Sequence, residues 1–361
     1  MSVEGKHRDF IVRSRAPLNG GPNADAMQRD FLTPNDQFFV RNHGDVPAVD
    51  PASYRLHVDG LCRHPREFTL AEIADLPRRK VVSTLQCAGA RRTELMAVEA
   101  IPNELAWGPE AMSNAAWEGV PLAEVLRLVE PEESARHVAF QGLDEVTRDN
   151  RTFGFGGSIP LDKATANEVL LADRMNGEPL PPLHGFPLRM LVPGYISARS
   201  VKWLRRITLQ AEPSDNYFQA KAYRLFPPHV RRETVRWEEG LMLGELPVNC
   251  VITHPGPEDT VGAGTVEVRG VALVGGGRTI ARVDLSSDGG RNWISADLGE
   301  DRGPWAWRFW EGRVAVSRGR REIVARAFDS SANTQPEEAA KLWNFKGYMN
   351  NSWARVRVLG Q

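Results

Sequence analysis

The pattern of apolar and polar positions changes character along the chain. Up to about residue 225, alternating runs such as Tyr54-Arg55-Leu56-His57-Val58 share the sequence with helix-like stretches. In one of these, Leu122, Val125, Leu126 and Val129 recur at the spacing that puts side chains on one helical face. Clusters of Pro and Gly, Glu178-Pro179-Leu180-Pro181-Pro182 and Gly154-Phe155-Gly156-Gly157, predict long structured loops, the usual place for binding groups. From about residue 245 period two dominates, over Thr265 to Val271, Thr279 to Ser286 and Glu322 to Phe328. Ser287-Asp288-Gly289-Gly290 predicts a hairpin turn, and Asp329-Ser330-Ser331-Ala332-Asn333 a second break. The expectation is an α+β domain over residues 1–240 followed by an all-β, immunoglobulin-like sandwich over 241–361. Cys250 is the one cysteine of that second region, so no disulfide can pin its sheets.

A chain of 361 residues fits two cores better than one. At 42% hydrophobic and 25% charged it has ordinary globular usage. Lys plus Arg (45) nearly cancels Asp plus Glu (46), so no global field exists to hold a polyanion. With no Lys/Arg run either, nucleic acid is not an expected partner. No stretch reaches membrane-spanning length and Met1 to Arg15 lacks a signal-like apolar core, so the expected location is cytoplasmic, or periplasmic if a leader has been removed. Cys62, Cys87 and Cys250 lack the spacing of a zinc ribbon, a covalent haem or a disulfide framework.

Four segments concentrate chemistry. Cys87 sits in Ser83-Thr84-Leu85-Gln86-Cys87-Ala88-Gly89-Ala90-Arg91-Arg92, where a strand-like run meets a small-residue turn and two guanidinium groups. Nearby cations favour a thiolate, although an isolated Cys also reads as buried packing. Phe38-Phe39-Val40-Arg41-Asn42-His43 places a guanidinium, an amide and an imidazole side by side, which suits a polar anion as well as it suits a capped strand end. His184-Gly185-Phe186-Pro187-Leu188-Arg189 and Ser197-Ala198-Arg199-Ser200-Val201-Lys202-Trp203 add donors for a phosphate or pterin, or form solvated basic loops.

Taken together these segments resemble the sulfite oxidase family over nearly the whole chain. The resemblance rests on Arg41-Asn42-His43, Cys87 to Arg92, Trp107 before Ala111-Met112-Ser113-Asn114, His184 to Arg189 and Lys202-Trp203-Leu204, in the family's order. Trp305-Ala306-Trp307-Arg308 and Trp343-Asn344 are similar to its C-terminal domain. Ala90 stands where the family usually has Asn, Leu183 where an acidic residue is common, and Lys221-Ala222 where Arg-Asp often precedes the tyrosine.

The resemblance implies a molybdenum-cofactor domain with Cys87 as thiolate ligand of molybdenum. It implies that Phe39, Val40, Arg41, Asn42, His43, Asp144, His184, Arg189, Ser200 and Lys202 bind the molybdopterin. It places Arg41, Arg92, Trp107, Tyr223 and Arg308 around the substrate. The implied reaction is oxidation of sulfite, a small oxyanion that guanidinium forks hold well, to sulfate. It further implies a homodimer joined by the C-terminal domain, no haem in this chain, and electrons passed to an external acceptor, a cytochrome or another carrier. The alternative is a related molybdenum reductase acting on nitrate or a sulfoxide, since ligation alone does not choose the direction of oxygen transfer. Three guanidinium groups favour an anion over a neutral sulfoxide. A binding module that has lost its metal is the remaining rival, and Cys87 argues against it.

Overall fold

The computed structural model describes residues 5–361. The amphipathic segment is a helix, Leu122–Val129, and it buries the four apolar residues that define its stripe. They pack into a core with Leu56, Val58, Phe140 and Ile207. That core lies on a five-stranded sheet ordered Arg66–Phe68, Leu56–Gly60, Leu204–Gln210, His137–Arg148 and Arg151–Pro160. Leu204–Gln210 runs parallel to Leu56–Gly60 and antiparallel to His137–Arg148. Before the short helix Leu70–Ala74, Thr69 and Glu72 cap each other's backbone, so the turn is set locally.

A second sheet carries the chemistry-bearing segments. Its order is Glu178–Pro179, Leu170–Met175, Met112–Pro121 and Arg79–Gln86, with Arg189–Leu191 also paired to Leu170–Met175. A small sheet of Ile11–Arg15, Leu18–Gly21 and Val40–Arg41 delivers the segment around Asn42. The order is α+β, with short helices at strand ends and long loops between sheets.

The last third is all β. Asn249–His254, Gly264–Leu273, Arg308–Val316 and Asp297–Leu298 form one sheet; Thr260–Val261, Ala354–Gly360, Gly319–Asp329, Ile280–Ser286 and Ile294–Ser295 form the other. Both inner faces supply the core, with Val268 and Trp310 from one and Val283, Ile323 and Val356 from the other. The alternating runs read from sequence for this region fall on these strands, Thr279 alone lying one residue before its strand. Asp288, at the predicted hairpin, accepts hydrogen bonds from the backbone of Arg291 and Asn292, while Gly289 and Gly290 take positive φ.

The two regions share a third core, which joins Leu85, Trp107, Trp117 and Tyr223 to Val251, Val271 and Trp307. Backbone bonds reinforce it. Thr84 N donates to Trp305 O at 2.9 Å, and Met349 N to Ala88 O at 2.8 Å. Among the described residues no helix is long and apolar enough to cross a membrane.

Candidate functional site

Arg79–Gln86 ends in a turn that positions Cys87. Cys87 N donates to Ala111 O at 2.9 Å, and Ala90 N to Cys87 O at 3.0 Å. The thiol, on a residue 3% exposed, accepts the Gly89 N–H at 3.4 Å. A Cβ on Gly89 would stand 2.5 Å from the Arg92 guanidinium, so any larger residue there would displace that side chain. The two arginines part here. Arg91, at φ 60°, sends its guanidinium to Asn249 Oδ1 and Ser352 O, both 2.8 Å away in the second domain. It braces the domains and leaves the thiol alone. Arg92 turns inward, donating to Leu105 O at 2.8 Å and to the carbonyls of Lys346 and Gly347 at 3.1 Å.

Beside this turn opens a narrow recess. The structure brings ten of the expected residues to its wall: Phe39, Arg41, Asn42, His43, Asp144, His184, Arg189, Ser200, Lys202 and Tyr223. They come from loops far apart in the chain. Val40 is buried and absent from the lining. Cys87, Arg92 and Trp107 are buried behind the wall; Trp107 is fully enclosed and its indole N–H has no partner.

The recess is electrostatically unfinished. Arg41, Arg189 and Lys202 line it, against one carboxylate, Asp144. Burial pushes Lys202 well below the usual lysine range, with Arg189 adding to the push, and lowers Arg189 to about 9. Burial raises Asp144 to about 6, opposed by Lys202. Such shifts mean that the walls alone do not stabilise the charges they carry, and an anion bound among them would. Asn42 also has a buried Nδ2 with no partner among the described residues, while its Oδ1 accepts from Lys202 Nζ. An anionic ligand rich in acceptors fits these donors. Among the described residues no three His, Cys, Asp or Glu side chains cluster as a metal cage. A metal held there by a single protein thiolate would have to draw its remaining ligands from a cofactor.

Along one edge the groups form a relay. Arg41 Nη2 lies 3.2 Å from His43 Nδ1, and His43 Nε2 lies 2.9 Å from the Tyr223 hydroxyl. A guanidinium only donates, so Nδ1 accepts, Nε2 carries the hydrogen and Tyr223 Oη accepts it. The Tyr223 O–H is thereby free to donate to a ligand. Burial, then Arg41, holds His43 well below its usual value, so it is neutral. Burial also raises Tyr223, so the phenol keeps its proton.

Tyr223 stacks on Tyr348 with ring centroids 5.4 Å apart, and the Arg92 guanidinium lies 5.2 Å from the Tyr348 ring. Lys346 pairs with Glu104, which also stands 3.8 Å from Arg92. These second-domain residues were not singled out from sequence. The signal available was Trp343-Asn344, which opens their loop; Asn344 Oδ1 accepts from Tyr348 N at 3.0 Å and shapes it.

Arg308 is a correction. It does not meet Arg41 and Arg92. Its guanidinium donates to Gly299 O at 2.8 Å and Ile280 O at 2.9 Å, and it lines a separate hollow with Val274 and Asp301. Strand alternation is the reason: Trp307 faces the shared core, where its N–H donates to Thr84 Oγ1 at 2.8 Å, so the next side chain points the other way. Lys346, paired with Glu104 and 5.5 Å from the Tyr348 ring, is the second-domain cation that lies beside Arg92.

Comparison with known proteins agrees with this geometry. The oxidoreductase molybdopterin binding domain family matches residues 43–218, and the Mo-co oxidoreductase dimerisation domain family matches 241–360. The chain is 42% identical to human mitochondrial sulfite oxidase over 98% of its own length and 66% of that protein's, so it spans just under two thirds of that relative. It is 40% identical to sulfite oxidase of Arabidopsis thaliana, covering 97% of this chain and 94% of the other. The crystal structure of the sulfane dehydrogenase SoxCD from Paracoccus pantotrophus superposes with a TM-score of 0.80 at 25% identity, covering 96% of this chain and 86% of that one. With a molybdopterin-type domain followed by a dimerisation-type domain, and relatives at this identity over almost all its residues, the chain belongs to the sulfite oxidase family of molybdopterin oxidoreductases.

Proposed function

We propose that this chain oxidises sulfite to sulfate with a molybdenum–pterin cofactor and passes the two electrons to an external acceptor. We further propose that it divides near residue 240 and pairs as a homodimer through residues 241–361. The observation that carries the reading is the excess of cations, Arg41, Arg189 and Lys202 against Asp144, lining the recess next to the turn of Cys87. Lys202, Arg189, His184, Asn42 and Ser200 are suited to the cofactor's phosphate and pterin, and Cys87 to its metal. When bound, the cofactor supplies oxygen-atom transfer with two-electron redox chemistry.

The protein's part is positional and electrostatic. Arg41, Arg92 and Lys346 sit around the paired rings of Tyr223 and Tyr348, where a dianionic oxyanion gains charge-assisted hydrogen bonds. Glu104 keeps Arg92 and Lys346 from repelling each other while no anion is there. Tyr223, its oxygen already accepting from His43, offers its hydrogen to a substrate oxygen. Trp107 excludes water from behind the turn.

Metal and pterin analysis of purified protein, with sulfite-dependent dye reduction, tests the reading. Molybdenum and pterin in equal amounts with sulfite-dependent turnover is the expected result. Loaded protein that reduces nitrate and leaves sulfite untouched would overturn it.

A further inference from the structure

Lys6 lies in the segment that precedes the first strand, Ile11–Arg15, and is 8% exposed. Its ammonium has no carboxylate within 4 Å among the described residues. Instead Nζ stands 2.9 Å from Asn35 O, 3.0 Å from Phe38 O and 3.0 Å from His184 Nε2. Three N–H groups therefore meet three acceptors, provided that Nε2 of His184 is the acceptor. His184 is buried and lines the recess, with its ring edge-on to Phe38, centroids 5.4 Å apart. Nε2 has two neighbours, since Asn35 O lies 3.2 Å from it. These two demand opposite tautomers: Lys6 requires a bare Nε2, Asn35 O requires Nε2–H.

We infer that Lys6 is a positioning residue which holds His184 in the Nδ1–H tautomer, so that the imidazole presents a donor to the recess. His184 cannot settle the matter by taking a second proton. Burial, followed by Lys6, Lys202 and Arg189, holds it well below the usual histidine range. The cost falls on Lys6, which burial lowers to about 7 against the pull of Asp36. A buried amine so placed, beside a recess already rich in cations, is repaid when an anion binds there. In the proposed cofactor reading, on which this part rests, that anion is the cofactor's phosphate or pterin oxygens. The N-terminal segment then latches the cofactor site through one imidazole.

The test uses the full chain labelled with ¹⁵N-histidine, observed by NMR at pH 6, where Lys6 carries its proton. His184 is assigned by its loss in His184→Asn. In the wild type, with or without cofactor, the spectrum should show Nδ1–H; in Lys6→Met it should change to Nε2–H, now donating to Asn35 O. Nε2–H in the wild type, or no change in Lys6→Met, overturns the inference. Lys6→Leu, which also lacks a donor, supplies the same comparison should the methionine variant not fold. Release of pterin, followed by its fluorescence after oxidation, should be about tenfold faster from Lys6→Met, the effect of weakening one charge-assisted hydrogen bond. Equal release rates overturn the link to the cofactor. A wild type that binds no pterin overturns the cofactor reading itself, while the tautomer is still decided on the cofactor-free chain.

Discussion

Single side chains carry the sharpest expectations. Replacing Cys87 by Ser should abolish sulfite turnover while pterin content and thermal stability stay near wild type, because the pterin contacts come from separate loops; sulfite oxidation near the wild-type rate would show Cys87 to be packing. Arg92→Gln and Lys346→Gln should each raise the Michaelis constant for sulfite by roughly tenfold, as expected for one lost charge-assisted hydrogen bond. Arg308→Gln should leave steady-state constants unchanged and cost about 1 kcal/mol of stability, since its partners are two carbonyls of its own domain. A raised Michaelis constant in the Arg308 variant would put that residue back at the substrate. Asp144 yields a pH signature. Its folded value is raised from 3.8 to about 6, so the stability it contributes is fully present below pH 3.8 and lost as pH rises through 6. In the cofactor-free protein the stability of wild type relative to Asp144→Asn should therefore fall by on the order of 2 to 3 kcal/mol between pH 4 and pH 7. Denaturant melts at both pH values measure it, and a pH-independent difference would mean that the carboxyl ionises freely.

At the level of elements, the sheet and the helix divide labour. Leu122–Val129 packs into the core formed with Leu56, Val58 and Ile207, whereas Cys87 and Tyr223 belong to the core shared with the second domain. Leu126→Ala should thus lower stability by about 2 to 5 kcal/mol, the cost of a buried cavity, with sulfite kinetics preserved in the folded fraction. Loss of turnover without loss of stability would show the two cores to be coupled. The helix was legible in the sequence because four apolar residues at helical spacing admit one buried face. The strand Arg308–Val316 was not among the alternating runs read from the sequence, and alternation alone would not have given its phase. Period two says that neighbours face opposite ways and leaves open which face meets the other domain; Trp307 N bonding to Thr84 Oγ1 is what decides it.

For the whole molecule, the family and the second domain's match to a dimerisation family lead to the expectation of a dimer. Sedimentation at micromolar concentration should give twice the mass of one 361-residue chain, and a monomer there would remove the claim. The chain's sequence alone determined the order of its two regions, the amphipathic helix, the alternating strands and a set of segments whose motifs resemble one family, because these depend on neighbours in the chain. Only the tertiary structure decided which donors share a space. Lys346 and Tyr348 reach Arg92 and Tyr223 from the other domain, and Lys6 reaches His184 across 178 residues. No local pattern marks such residues, since an isolated lysine or tyrosine reads as surface until the fold buries it. The same holds for Arg91 and Arg92, adjacent in the chain: with Arg91 left-handed, its guanidinium goes to Asn249 and Ser352 while that of Arg92 goes to Leu105, Lys346 and Gly347 beside the Tyr348 ring.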